Sequence, residues 1–218
     1  MYKIVVDTSI QGGFLGISEE SSKIPGWIKS IKDSRSSSMQ LASMLKEGLS
    51  YYNCSTQDIS TILVSTGPGS FTGIKIGLAF CYGLVRSLPG VNLVGASSFG
   101  LLYQKLQSIY EKVVLVVGST KTQGFINLDG TILNFNLTLE QDLKKIQNRI
   151  LDPNYTTVSI GTWKEFDIKF PEVHILKQDT TSLHHMIFEA FCKYPVTEVG
   201  SSKLVQPTYY REPSIFGN

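Results

Sequence analysis

Charge is the scarcest ingredient of this sequence. Asp, Glu, Lys and Arg make up 17% of its 218 residues, below the quarter or so of an ordinary soluble domain. The net balance of +2 supplies no basic stripe of the kind a free-standing nucleic-acid binder shows. The longest basic cluster is the pair Lys144-Lys145. Cysteine is short too. Cys54, Cys81 and Cys192 are odd in number, scattered and in no CxxC pair, which argues against a zinc site or a disulfide framework and fits a reducing cytoplasm. No run approaches the ~18 apolar residues of a membrane span, and the opening MYKIVVDTS turns polar too soon for a signal peptide. Together these absences predict a soluble, cytoplasmic protein whose sparsely charged surface is partly hidden against a partner.

Apolar residues, by contrast, reach 42%, with 11 Phe and 10 Tyr, enough for an ordinary globular core in one large domain or two small lobes. Tyr2 to Val6 and Phe14 to Ile17 read as strands joined by a glycine-bearing connection, a hairpin. Lys23 to Ile28 reads as a third strand, placed at an edge by Pro25. Leu41, Ala42, Leu45 and Leu49 recur at helical spacing after a serine run. Ile59 to Val64 and Asn92 to Val94 are strands, and Ser97-Ser98 caps a helix to about Leu106. The plan then restarts: strands at Lys112 to Val117, Phe125 to Asn127 and Ile132 to Phe135, a helix from Thr138 to Ile150, strands at Tyr155 to Ile160 and Val173 to Leu176, a helix from Ser182 to Cys192. Strands first, then helix and strand alternating, twice over, is an α/β duplication. It predicts an N-terminal lobe over 1–108 and a C-terminal lobe over 109–218.

The most distinctive stretch is STGPGSFTGIKIGLAFCYGL, Ser65 to Leu84. Gly67, Gly69 and Gly73 sit between a strand and a helix, with Ser70 and Thr72 as capping hydroxyls. Glycine allows close backbone approach, and a helix N-terminus favours an anion, so one reading is a phosphate cradle with Asp7, Gly67, Gly69 and Ser70 as candidate nucleotide contacts. The other is a tight structural turn: no Lys-Ser/Thr pair ends the loop as in a Walker motif, and GPGSFTG carries one residue more than GxGxxG. The helix beyond it is apolar all round, Lys75 being its only charge from Ile74 to Val85. Such a helix is buried on every side, either in the core or against another molecule. In a layered α/β lobe one side lies on the sheet, so the other needs a cover. The small-residue stripe Gly73, Gly77, Cys81 and Leu84 is the side where a partner helix would come close, with Ile74, Leu78, Phe80 and, from the preceding helix, Met39 completing the interface.

These residues resemble the TsaB (YeaZ) family. GPGSFTG stands intact at Gly67 to Gly73, followed by Ile74-Lys75-Ile76-Gly77 where the family has LRIG. Val6-Asp7-Thr8-Ser9 resembles its IDTS, Gly95-Ala96-Ser97-Ser98 its helix start, and Pro207-Thr208-Tyr209-Tyr210-Arg211 its C-terminal P-x-Y-x-R. The elements occur in family order across nearly the whole chain. The resemblance implies an actin/Hsp70-like ATPase fold with two RNase H-like lobes. It implies a role in threonylcarbamoyl modification of the adenosine beside the anticodon of ANN-decoding tRNAs, without catalysis by this chain. Its partners would be the metal-bearing transferase TsaD, the ATPase TsaE and, indirectly, the TsaC-type enzyme that makes threonylcarbamoyl-adenylate, and tRNA. A homodimer is implied when the chain is alone. No tightly bound cofactor is implied, only ATP or ADP at the interface of the assembled complex. Two positions depart from the family: Val117-Gly118-Ser119-Thr120-Lys121 stands where many members have D-A-R, and Arg35-Ser36-Ser37 replaces RHS.

Other chemistry is thin. Asp7 sits where an actin-like ATPase places a phosphate- or metal-facing carboxylate, and equally where a turn-capping Asp would sit. His174, His184 and His185 lack the i,i+4 spacing of a helical metal pair. Ser70 lacks the flanking glycines of a nucleophile elbow. We therefore expect no catalytic and no metal-ligating residue. The rival functions are a stand-alone actin-fold ATPase or small-molecule kinase and, more weakly, a peptidase.

Overall fold

The computed structural model describes residues 1–10, 12–31, 37–160, 163–171, 175–178, 180–194 and 205–208. Arg35, Ser36, His174, Tyr209, Tyr210 and Arg211, singled out above, lie outside them.

The first half runs β1 (Tyr2–Asp7), β2 (Phe14–Glu19), β3 (Trp27–Ser30), α1 (Ser37–Tyr51), β4 (Ile59–Ser65), α2 (Phe71–Ser87), β5 (Asn92–Ala96) and α3 (Ser98–Gln107). The second half repeats it: β6 (Val113–Gly118), β7 (Gln123–Leu128), β8 (Thr131–Asn136), α4 (Glu140–Ile150), β9 (Thr156–Ile160), α5 (Lys164–Lys169), β10 (Ile175–Gln178) and α6 (Thr180–Lys193). Each half builds one five-stranded sheet, ordered β3-β2-β1-β4-β5 and β10-β9-β6-β7-β8. In each, the first three strands pair antiparallel and the last two join in parallel. β1 and β6 lie at the centre of their sheets, buried on both faces, which is why they read as near-continuous β-branched runs, IVV and VVLVV.

Three apolar cores stack these elements into layers. Ile4, Val6, Leu15, Leu41, Leu45, Ile74 and Cys81 join the first sheet to α1 and α2. Val114, Val116, Ile146, Ile150 and Phe166 join the second sheet to α4 and α5. The largest core lies between the sheets, where Phe99 and Leu102 of α3 and Ile187, Phe188 and Phe191 of α6 meet Val5, Phe14, Leu115 and Val158. The final helix thus packs on the first half's sheet. Lys3 fixes it there: its buried ammonium donates to the carbonyls of Glu20, Ser22 and Cys192, the last belonging to the negative end of α6.

The sequence located most elements, with informative misses. β3 begins beyond Pro25 rather than before it, because proline cannot donate to a ladder. α2 begins three residues earlier than Ile74, since Ser70 accepts from Gly73 N at 3.1 Å and caps the first turn. The short helix α5 and the 3-10 turn at Thr56–Asp58 are too brief to show a period. Ser97 caps α3 as expected, accepting from Gly100 N at 3.0 Å.

Candidate functional site

The glycine loop closes onto its own chain. The ends of β1 and β4 and the start of α3 converge on a buried knot of hydroxyls. Asp7 Oδ1 accepts from Ser9 N and Ser9 Oγ, both at 2.7 Å. Ser9 Oγ lies 2.8 Å from Ser65 Oγ and 3.2 Å from Ser98 Oγ, and the last two are 2.8 Å apart. Asp7 is 1% exposed, and its Oδ2 has no hydrogen-bond partner. Above the knot, Ser70 N donates to the Ser9 carbonyl at 2.7 Å, and Thr8 Oγ1 donates to the Gly73 carbonyl at 2.6 Å.

These bonds explain the glycines. A Cβ on Gly69 would overlap the Ser9 carbonyl, one on Gly73 the Thr8 carbonyl, and one on Gly77 the Thr8 hydroxyl. The three form a stripe along the loop and α2 that lets the helix ride on the Asp7–Ser9 turn. The space that a side chain at Gly69 or Gly73 would need holds backbone of the same chain. A returning segment covers the loop from outside: Thr208 N donates to the Thr66 carbonyl at 2.9 Å, and Tyr82 Oη to the Val205 carbonyl at 2.6 Å.

This geometry corrects the expected interface. Gly73, Ile74, Gly77, Leu78 and Cys81 are all buried against the chain's own first sheet. Burial drives the Cys81 thiol pKa well above its ordinary value. The small stripe Gly73-Gly77-Cys81 therefore meets β1, not a second molecule. Phe80 and Leu84 are half-buried, packing by one edge on that core, and Met39 on α1 is 74% exposed.

The outward face of α2 lies a third of a turn away. Thr72, Ala79 and Gly83 are exposed, Ile76 and Phe80 half-exposed, at spacings of four, seven, eight and eleven from Thr72, the stripe of one helical face. A Cβ on Gly83 would meet nothing within 4 Å. Lys75 sits over the Phe71 ring at 3.9 Å, leaving the centre of the face uncharged. The face combines apolar area with two small residues, the arrangement through which another helix can approach closely. Sequence reasoning missed Ala79 and Gly83 because the helix is apolar in every direction; the exposed Lys75 and Arg86 were its only signals of which side faces out.

The other candidates remain apart. His184 is 1% exposed, its Nδ1 2.7 Å from Ser30 Oγ, while His185 is exposed. Among the described residues, no group of three or more His, Cys, Asp or Glu could hold a metal ion, and no helix is long and apolar enough to cross a membrane. In the second half, Trp163 packs over Gly118 and Gly124, where a Cβ would strike its ring, and donates from Nε1 to the Lys121 carbonyl at 2.8 Å.

Residues 26–183 match the family model of TsaD, tRNA N6-adenosine threonylcarbamoyltransferase. A relative from Buchnera aphidicola subsp. Schizaphis graminum, the tRNA threonylcarbamoyladenosine biosynthesis protein TsaB, is 24% identical over 162 residues, covering 69% of this chain and 77% of its own. A crystal structure described as a protein with similarity to peptidase YEAZ from Pseudomonas aeruginosa superposes with a TM-score of 0.67 at 16% identity, over 96% of this chain and 99% of that one. A Bacteroides thetaiotaomicron protein with an actin-like ATPase fold superposes with a TM-score of 0.50 at 9% identity, over 89% and 96%. The fold is thus the actin-like α/β fold that the resemblance implied, in agreement with the duplication.

Proposed function

This chain belongs to the family of the tRNA threonylcarbamoyltransferase TsaD, on its TsaB/YeaZ branch, and from that premise we propose that it serves tRNA threonylcarbamoyladenosine biosynthesis as a non-catalytic scaffold, pairing with the TsaD transferase through the outer face of α2. The observation that carries the proposal is that face: Ile76, Ala79, Phe80 and Gly83 form an uncharged stripe on a helix whose opposite stripe is used up by its own sheet. An apolar helix face with small residues at its centre fits a second helix of the same character. Phe80 and Leu84 keep their place in this interface. Met39 extends it along α1, which packs beside α2.

The scaffold role, rather than catalysis, is supported by the loop. Gly69 and Gly73 lie against Ser9 and Thr8, Ser70 N is bonded to the Ser9 carbonyl, Gly73 N to Ser70 Oγ, and Asp7 Oδ1 accepts from Ser9. ATP or ADP, if it binds, then belongs to the interface with the partner, with TsaE acting on the assembled pair and the TsaC-type enzyme supplying the threonylcarbamoyl-adenylate.

The test is co-elution with purified TsaD. The chain and TsaD should run as a stable pair in size-exclusion chromatography, and ATP hydrolysis by the chain alone should stay at background with or without Asp7→Ala. Robust turnover by the chain alone, lost in Asp7→Ala, would establish the stand-alone ATPase reading instead.

A further inference from the structure

The edges of the two sheets are protected unequally. β3 is four residues long, follows Pro25, carries Lys29 paired with Glu47, and contacts both α1 and α6. β5 is overlain near Gly95 by Val205 of the returning segment. These are the usual devices that stop an edge strand from pairing with another chain. β8 is contacted by α4 but lacks the others. It is six residues long, TILNFN, without a charge or a proline, and Thr131, Leu133 and Asn134 are exposed.

Its hydrogen-bonding phase is fixed by the turn before it. Asp129 and Gly130, at φ 50° and 87°, form a two-residue hairpin turn of the type that matches strand twist. The flanking pair Leu128 and Thr131 therefore exchanges both its bonds, and alternate pairs follow: Ile126 with Leu133, Gly124 with Phe135. Ile132, Asn134 and Asn136 then aim their N–H and C=O groups away from β7. Asp142 Oδ2 accepts from Asn136 N at 3.0 Å and closes that end. Ile132 and Asn134 have no backbone partner among the described residues, two donors and two acceptors spaced symmetrically about Leu133.

We propose that β8 pairs antiparallel with β8 of a second copy of this chain, joining two second-half sheets into one continuous sheet about a two-fold axis through Leu133. Centred there, Ile132 of each copy lies opposite Asn134 of the other, and each pair exchanges both bonds. All four open groups of each copy are satisfied, and the Asp142 plug falls just outside the paired stretch. The two Leu133 side chains, each 38% exposed, face each other across the axis on the α4 side. The strand carries no charge to repel its copy. A second copy fits because the uncharged strand with Leu133 exposed at its centre then meets its own equal, closing the contact about a two-fold axis. The contact is narrow, well below the area of a stable dimer, so the association is weak and concentration-dependent. It lies on β8 rather than α2 and stands independently of the pairing with TsaD.

The experiment removes the other face first. The full chain carrying Phe80→Glu is sedimented from micromolar to about millimolar concentration, a range that covers weak contacts. It is compared with the same chain also carrying Asn134→Pro, which deletes an outward N–H without touching the β7 ladder, or Leu133→Lys, which sets two charges face to face. The Phe80→Glu chain should dimerise in the upper part of the range. Both added substitutions should abolish this while leaving the melting temperature within a degree or two. Amide exchange should slow with concentration at Ile132 and Asn134 but not at Leu133, which is already bonded to β7. A chain that stays monomeric at the top of the range would overturn the proposal, as would a dimer indifferent to both substitutions. Should Asn134→Pro fail to fold, Leu133→Lys, at an exposed position, decides alone.

Discussion

The two halves share one plan and differ most in the helix after the fourth strand. After β4 comes α2, 17 residues long; after β9 comes α5, only six. The short helix spends its aromatic residues inward. Phe166 is 0% exposed, stacked on Trp163 at 5.3 Å and packed against Phe170. The long helix fills its half's core with Ile74, Leu78 and Cys81 and still has Ile76, Ala79, Phe80 and Gly83 left over. A duplicated fold needs a helix at this position only to cover one sheet face. The additional turns of α2, and their outward apolar residues, exceed that need, which is why the proposed partner is placed there.

Substitutions that treat the faces of α2 and α5 alike should have sharply unequal outcomes. The largest effect belongs to Gly77→Arg. Any side chain there strikes Thr8, and an arginine would leave an unpaired charge between α2 and β1, at a cost of about 3–5 kcal/mol. That is a large share of a domain's whole stability. The chain should be unfolded or aggregated by circular dichroism. A mutant that melts normally would mean that the stripe Gly69-Gly73-Gly77 is not packed on β1.

Phe166→Ala comes next. Deleting a fully buried phenyl from the second-half core costs about 3–5 kcal/mol and should lower the melting temperature substantially. Because Phe166 is buried in the second half's core and not on the proposed α2 face, affinity for TsaD, measured below the transition, should not change. Lost affinity in a variant that is still folded would place the partner on the second half.

Phe80→Glu inverts that pattern. The side chain is half-exposed, so the melting temperature should move little. A charge in the middle of the proposed interface should weaken pairing by about 2 kcal/mol or more, some thirtyfold. Unchanged co-elution with TsaD would remove α2 as the docking face while leaving the family assignment intact.

Sequence reasoning recovered the duplication, the strand-glycine-helix unit and the special character of α2, because each is written in local pattern: β-branched runs, a dense glycine motif, a helix with one charge in twelve residues. It gave a partner the stripe that the chain's own sheet buries, for a physical reason. Amphipathicity assigns faces by contrast, and a helix apolar in every direction offers none. Gly73 and Gly77 suggested close approach correctly, but the approaching atoms are those of Thr8, 65 residues earlier, and a contact at that separation leaves no trace in periodicity. The open edge of β8 was equally invisible, since it depends on strand order and on Asp142 reaching Asn136, not on composition.

The smallest effect tests how the halves are held together. Glu189 on α6 accepts from Lys105 on α3 at 2.7 Å and from Lys193 at 2.6 Å. These two ammonium groups, Lys105 foremost, hold its carboxyl below the ordinary glutamate range. A depressed carboxylate pKa contributes stability that is complete above the unfolded-state value and is lost as pH falls through the folded-state value. The side chain is 31% exposed and Lys193 56%, so solvent screening keeps the contribution small, about 0.5 kcal/mol. Glu189→Gln should therefore lower the melting temperature at neutral pH by about one or two degrees. The gap should narrow in high salt and close as acid protonates the wild-type carboxyl. Pairing with TsaD should not respond, since α3 and α6 lie between the sheets and α2 on the outside. A gap that persists unchanged into acid would mean that Glu189 acts through packing of its stem on α3 rather than through its charge.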